Sequence, residues 1–254
     1  MYTARNYVVA AYPEEAWELN QKKANAILGG GCWLRLGRRR YDTLIDLSGL
    51  GLDEIRLEGD TISLGAMVTL RQAETSPLLR EAFGDYFSRC TRHIVGVQFR
   101  NCATVGGSVA ARFGFSDPVT ALLPLGCQVE LVKAGRIPLE QYAAMPYDRD
   151  VLTHIHIPLP KYGRPVYESV RNTQTDLPVL TCAVAREENG LAAALGGRSG
   201  RPSLLRGADR DSLVEQAMKL SYVDNLRAGA DYRRHLAKVL LNRACAQLEG
   251  GEQL

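Results

Sequence analysis

Three consecutive glycines, Gly29-Gly30-Gly31, stop the apolar run Ala26-Ile27-Leu28, so the chain leaves a buried strand through a turn that no bulky side chain fills. Thr43-Leu44-Ile45-Asp46-Leu47 reads as the next strand. Ahead of both, Tyr12-Pro13-Glu14-Glu15 opens a helix, with proline in the first turn and two acids where the helix dipole favours negative charge. The N-terminal unit is therefore strand, glycine turn and strand, supported by one helix. Such a turn lets backbone amides approach a ligand and cradle an anion, and it serves equally as an ordinary tight turn. The following residues, Cys32-Trp33-Leu34-Arg35-Leu36, match neither GxGxxG nor a Walker sequence, so a phosphate site here has a different architecture.

A second glycine element, Thr104-Val105-Gly106-Gly107-Ser108, brings two hydroxyls and two glycines together within five residues. Backbone amides with hydroxyls can hold a pyrophosphate without an opposite charge. Further on stand Ser116 and Asp117. A carboxylate at Asp117 can accept hydrogen bonds from a ribose diol, or cap a helix ahead of Pro118.

Between and beyond these elements, residues 61–64 read as a strand, 70–73 as helical, and 78–87 as a helix with Ser76-Pro77 as its cap and first turn. Residues 121–125 form a short apolar helix, and 128–132 a strand ending at Ala134-Gly135. Lys161-Tyr162-Gly163-Arg164-Pro165 mixes charge with glycine and proline and reads as a linker. Past it come three strands, 166–170, 179–186 and 191–195, the last pair joined by a turn at Glu188-Asn189-Gly190. Two helices follow, opening at Asp211 and at Ala228-Gly229-Ala230-Asp231.

With 254 residues, 46% hydrophobic and 23% charged, the chain can build one large domain or two moderate ones. A net charge of +3, with basic residues dispersed apart from Arg38-Arg39-Arg40, argues against nucleic acid as a partner. No run approaches the roughly 20 apolar residues needed to span a bilayer, and Met1-Tyr2-Thr3-Ala4-Arg5-Asn6 lacks a signal-peptide core. The expectation is a cytoplasmic protein with no membrane contact. Cys32, Cys90, Cys102, Cys127, Cys182 and Cys245 stand far apart, so no metal or 4Fe-4S site is expected, only thiols packed in apolar segments.

Two stretches resemble the FAD-binding subunits of the xanthine dehydrogenase and aerobic carbon monoxide dehydrogenase family. Its first loop typically reads AGGTDL and its second RNRGTIGGNLANASPASD; here they are GGGCWL from Gly29 to Leu34 and RNCATVGGSVAARFGFSD from Arg100 to Asp117, without a gap. Leu44-Ile45-Asp46-Leu47 is similar to the family's LIDL strand, Leu64-Gly65-Ala66-Met67-Val68-Thr69 to IGALTT, and the stretch from Gly196 to Pro202 to GGVAPRP. Nearly the whole chain is covered.

The resemblance implies an α+β protein: a two-lobed FAD-binding fold of the vanillyl-alcohol oxidase type at 1–161, then a small C-terminal domain of antiparallel sheet plus helices at 162–254. Lobe one is about 1–56 and lobe two about 57–161. Carried over residue by residue, Ile27, Leu28, Gly29, Gly30, Gly31, Cys32, Trp33 and Leu34 meet the diphosphate from one lobe. Thr104, Val105, Gly106, Gly107 and Ser108 meet it from the other. Asp117 serves the ribitol or ribose hydroxyls, with Ser116 before it also counted among the cofactor-binding residues, and Ile94 and Leu152 pack on the ring system. The family's lysine in the first C-terminal strand aligns with Glu168, and Arg171, three residues on, takes over the positive charge near the flavin. Cys32 stands for threonine, Trp33 for a polar residue and Ser108 for asparagine.

The resemblance further implies an electron-transfer subunit, with molybdopterin in a large partner subunit and 2Fe-2S clusters in a small one. FAD is the only cofactor held here, and NAD or another acceptor takes the electrons. No catalytic nucleophile or general base is expected. His154 and His156 alternate on a strand and read as surface residues, while Tyr86 and Arg92 read as packing. The alternatives are a stand-alone FAD oxidoreductase and a scaffold subunit with a degenerate FAD site.

Overall fold

A computed structural model describes residues 1–198 and 200–250. Residues 251–254 of the expected C-terminal domain, and Ser199 in the stretch from Gly196 to Pro202, lie outside the described residues.

The first strand, β1 (Thr3–Val9), buries almost none of its side chains, which is why no apolar alternation marks it in the sequence. After it come α1 (Pro13–Asn20), β2 (Ala26–Leu28) and β3 (Arg40–Asp46). β3 lies between the other two strands and runs parallel to both, pairing Val8 with Ile45 on one side and Ile27 with Ile45 on the other. α1 covers this small sheet by burying Ala16 against Ala10, Ile45 and Leu47. In parallel sheets ligands gather at the carboxyl ends of the strands. The glycine turn sits at that end of β2.

The second sheet begins with β4 (Ile55–Glu58) and β5 (Thr61–Gly65), so the lobe division expected near residue 56 falls inside a strand of the second lobe. Six short helices follow: α2 (Leu70–Thr75), α3 (Pro77–Phe83), α4 (Tyr86–Thr91), α5 (Val97–Arg100), α6 (Val105–Ala110) and α7 (Asp117–Leu122). The sheet is completed by β6 (Gln128–Leu131), β7 (Gly135–Pro138) and, after α8 (Leu139–Ala144), β8 (Leu152–Pro158). Its order is β4-β5-β8-β6-β7, antiparallel throughout. Ile62, Leu64, Val129, Ile155 and Ile157 on the inner face pack with Leu70, Leu79, Phe83 and Val109 of the helices. The single helix expected over 78–87 is two helices, because the chain turns at Gly84-Asp85 between α3 and α4.

His154 and His156 are not surface residues. His156 is 4% exposed; its Nε2 lies 2.7 Å from Glu130 Oε2, and its ring stacks on half-buried His154 with centroids 5.9 Å apart. Alternation did place both on the same side of the sheet, where Gln128 and Glu130 of β6 stand beside them.

The last sheet contains β9 (Val166–Val170), β10 (Leu180–Glu187), β11 (Gly190–Gly196) and β12 (Ser203–Gly207), antiparallel in the order β12-β11-β10-β9. On one face α9 (Arg210–Met218) and α10 (Ala230–Gly250) bury Leu213, Leu236, Leu240 and Cys245 against Cys182 and Val184. On the other, Tyr167, Ala183 and Ala194 join the core of the second lobe. Among the described residues, no helix is long and apolar enough to cross a membrane, and no group of three or more His, Cys, Asp or Glu side chains could hold a metal ion.

Candidate cofactor cleft

A cleft of about 520 Å³, in the size range of cofactor sites, opens between the parallel and antiparallel sheets. Ile27, Gly29, Gly30, Gly31, Cys32, Trp33 and Leu34 line it from the first lobe. Ile94, Thr104, Gly106, Gly107, Ser108, Ser116, Asp117 and Leu152 line it from the second. Three expected residues do not. Leu28 turns away and its side chain packs under Gly31, Val105 is buried in the core of the second lobe, and Arg171 stands behind Asp117.

The glycines serve mainly to let the two loops touch. A Cβ on Gly30 would lie 1.7 Å from the Cys102 carbonyl oxygen, and one on Gly29 or on Gly107 would lie 2.9 Å from the Thr104 hydroxyl. Only Gly31 of the trio has a left-handed backbone, at φ 68°. Thr104 is thus wedged between both glycine elements, and its hydroxyl caps α6 by accepting from the Gly107 amide at 3.0 Å.

This packing redistributes the roles expected of the two turns. The amides of the second are already satisfied: Val105 donates to Val68, Gly106 to Ala66, Gly107 to the Thr104 hydroxyl and Ser108 to the Thr104 carbonyl. Those of Gly30, Gly31, Cys32 and Trp33 have no protein acceptor among the described residues. The first loop thus keeps four amides without a protein acceptor, and the second loop packs against it. Burial pushes the Cys32 thiol up, and its Sγ donates to the Gly30 carbonyl at 3.6 Å, so this residue behaves as a neutral filler.

Ser116, not Asp117, caps α7, its hydroxyl accepting from the Val119 amide at 3.4 Å. Asp117 lines the cleft but is 5% exposed, and its Oδ1 takes hydrogen bonds from Tyr167 at 2.5 Å and from Arg171. Burial pushes the Asp117 carboxyl above its ordinary value despite the guanidinium beside it. Arg171 therefore acts on the cleft through Asp117 rather than by facing it. Glu168 points elsewhere, accepting from Gln247 at 2.8 Å and pairing with Arg89.

Several residues in and around the cleft carry no sequence signal because their partners are remote. Arg149 joins the lobes: its guanidinium donates to Asn20, Lys22 and Asn25, and its carbonyl accepts from Asn20 at 2.9 Å. Arg112, itself at φ 51°, secures the adjoining segment through Met145, Pro146 and Asp148, with its guanidinium 3.8 Å from the Tyr142 ring centre. Val95 is β-branched yet has φ 51°, an uncommon strain for such a residue. Arg100 holds it there, donating to the Ile94 and Val95 carbonyls while gripping Glu74. Phe113 and Phe115 also line the cleft and meet Trp33. The alternating aromatics beside the second motif were their only visible mark.

A parallel lobe and an antiparallel lobe that meet through glycine loops, with a third sheet behind them, define an α+β protein of the FAD-binding class. Residues 3–160 match the family described as FAD binding domain in molybdopterin dehydrogenase, and the chain belongs to that family. It is an oxidoreductase component, and its cofactor is FAD. It is 30% identical over 243 residues to the uncharacterized protein YgfM of Escherichia coli (strain K12), covering 90% of each chain. It is 24% identical over 252 residues to the carbon monoxide dehydrogenase medium chain of Hydrogenophaga pseudoflava, covering 87% of this chain and 88% of that one. The reconstituted CO dehydrogenase from Oligotropha carboxidovorans has the same fold, with a TM-score of 0.85 at 23% identity over 97% of this chain and 98% of that one.

Proposed function

We propose that this chain is the electron-transfer subunit of a molybdopterin-dependent hydroxylase, receiving electrons from a 2Fe-2S partner subunit and passing them to NAD or another acceptor. One observation carries the reading: four successive residues, Gly30 to Trp33, line a cleft of cofactor size at the carboxyl end of a parallel strand, and their amides have no protein acceptor among the described residues. Such donors fit a diphosphate, since each forms a hydrogen bond to an anionic oxygen in a site partly shielded from water.

On this reading residues 29–34 hold the diphosphate, with Ile27 beneath them, and the Thr104 and Ser108 hydroxyls complete the site from the buttressing loop. Asp117 accepts from a ribitol or ribose hydroxyl, while Tyr167 and Arg171 fix its carboxylate. Ile94 and Leu152 offer apolar surface to the rings. The bound flavin supplies the chemistry of collecting electrons one at a time and releasing them as a pair. This chain's side chains bind it, orient it and exclude water, and none is assigned a proton-transfer step.

Large and small partner subunits follow from relatives that are themselves named as a medium chain and a medium subunit. A division into a cofactor domain up to about residue 161 and a C-terminal domain beyond it is supported by the separate four-stranded sheet from Val166 onward. A cytoplasmic setting is supported by six free thiols, five of them buried.

The purified full chain tests the reading. The expected result is a flavin absorption spectrum with one FAD per chain, a thermal shift on adding FAD, and co-purification of a molybdopterin protein and an iron-sulfur protein from the native source. Failure to take up FAD overturns the cofactor assignment. A lone chain that oxidises an organic substrate at full rate overturns the subunit assignment.

A further inference from the structure

Trp33 comes from the glycine loop of the parallel lobe, whereas Phe113 and Phe115 follow α6 in the antiparallel lobe. They meet across the cleft. The indole centroid lies 5.2 Å from Phe113 and 5.6 Å from Phe115, and the two phenyl rings stack at 5.1 Å. All three rings line the cleft, yet Trp33 is 43% and Phe113 36% exposed, which sets the contact at its mouth.

The two sides of the bridge are not equally anchored. Gly114, between the phenylalanines, accepts from the Gly197 amide at 2.7 Å and packs so tightly on Gly200 that a Cβ would lie 1.4 Å from the Gly200 carbonyl oxygen. The phenylalanine side is thereby braced against the C-terminal domain. On the Trp33 side, the amides of Gly30, Gly31, Cys32 and Trp33 have no protein acceptor among the described residues. The lobes are joined independently by Arg149, whose charged donors reach carbonyls of Asn20, Lys22 and Asn25.

Resting on the FAD reading above, we infer that Trp33 closing on Phe113 and Phe115 is the latch of the cofactor entrance, opening to admit FAD and shutting over its diphosphate. A partly exposed aromatic contact is weak enough to open and re-form, while Arg149 keeps the lobes together. Because the Trp33 amide belongs to the cradle, closing the indole also dries the bonds that hold the phosphates, and drier bonds are stronger. Trp33 is on this account a positioning residue that governs entry and exit, with no part in electron transfer.

The test is the kinetics of FAD uptake and release by the full chain, followed through the quenching of flavin fluorescence. Trp33→Ala is expected to raise the uptake rate by about tenfold, the equivalent of one aromatic pair, and the release rate by at least as much. Trp33→Phe keeps a ring on the loop and should restore slow exchange. Phe113→Ala, from the opposite lobe, should reproduce the Trp33→Ala effect and decides the matter if that variant fails to fold. Unchanged release, or weaker binding with an unchanged uptake rate, makes the tryptophan a mere contact and overturns the latch. An unsubstituted chain that takes up no FAD is a different result: it removes the FAD reading itself, and the latch with it.

Discussion

Gly30 shows how much one missing Cβ decides. Any side chain there collides with the Cys102 carbonyl 1.7 Å from the Cβ position, and that partner is backbone, so it cannot rotate aside. Gly30→Ala should force the loops apart, lowering stability by about 2 kcal/mol, as overpacking does, and loosening the amide cradle. Calorimetric unfolding and FAD titration check both effects; a variant normal in each contradicts the loop contact. The glycine trio was legible as a turn from sequence alone. Its reason was not, because the atoms that demand glycine lie some seventy residues further along the chain. Cys32 and Trp33, read as departures from a family pattern, turn out as a buried neutral thiol and a half-exposed ring facing two phenylalanines.

At the scale of elements, Arg100 at the end of α5 ties α2 to the strained turn at Ile94 and Val95. Burial alone would push the Glu74 carboxyl up, but hydrogen bonds from Arg100 and Arg71 outweigh it and hold the group below its ordinary value. A carboxylate depressed in the folded state stabilises the fold above its unfolded pKa and loses that contribution as pH falls through the folded value. Stability should therefore decline on acidification below the ordinary glutamate range. Glu74→Gln should flatten that part of the decline while costing about 2 kcal/mol at neutral pH, the scale of hydrogen bonds to a charged group. Urea unfolding across pH measures it, and an acid limb identical to the parent's rules the pair out as its source. Strands with apolar faces, such as β3, β8 and β10, announce themselves in sequence. β1 and β12 do not, since one is exposed and the other fully buries only Leu205.

For the whole molecule the decisive contact is Asp117 with Tyr167 and Arg171, which fastens the C-terminal sheet to the cleft. The core of the second lobe also runs into that sheet through Tyr167, Ala183 and Ala194, so the parts should unfold together. Arg171→Met would leave the Asp117 carboxylate buried without its ion partner, a loss of about 3 kcal/mol. Scanning calorimetry is expected to show one transition at a lower temperature. A separate, unshifted transition for the C-terminal domain would mean that the contact does not couple them.

What the amino-acid sequence determined by itself was whatever depends on neighbouring residues. It set the glycine turn at the end of β2, the helix cap at Ser76, the linker composition, and the motif spacing that marks an FAD protein. Tertiary structure decided which amides are left without a protein acceptor, that Asp117 is braced from another sheet, and that Arg149 reaches Asn20 across 129 residues. Hydrogen-bond competition and lobe closure depend on atoms brought together only by folding, so local pattern carries no trace of them. The two glycine turns looked alike in sequence, and they differ because the folded chain supplies acceptors to the amides of one and not to those of the other.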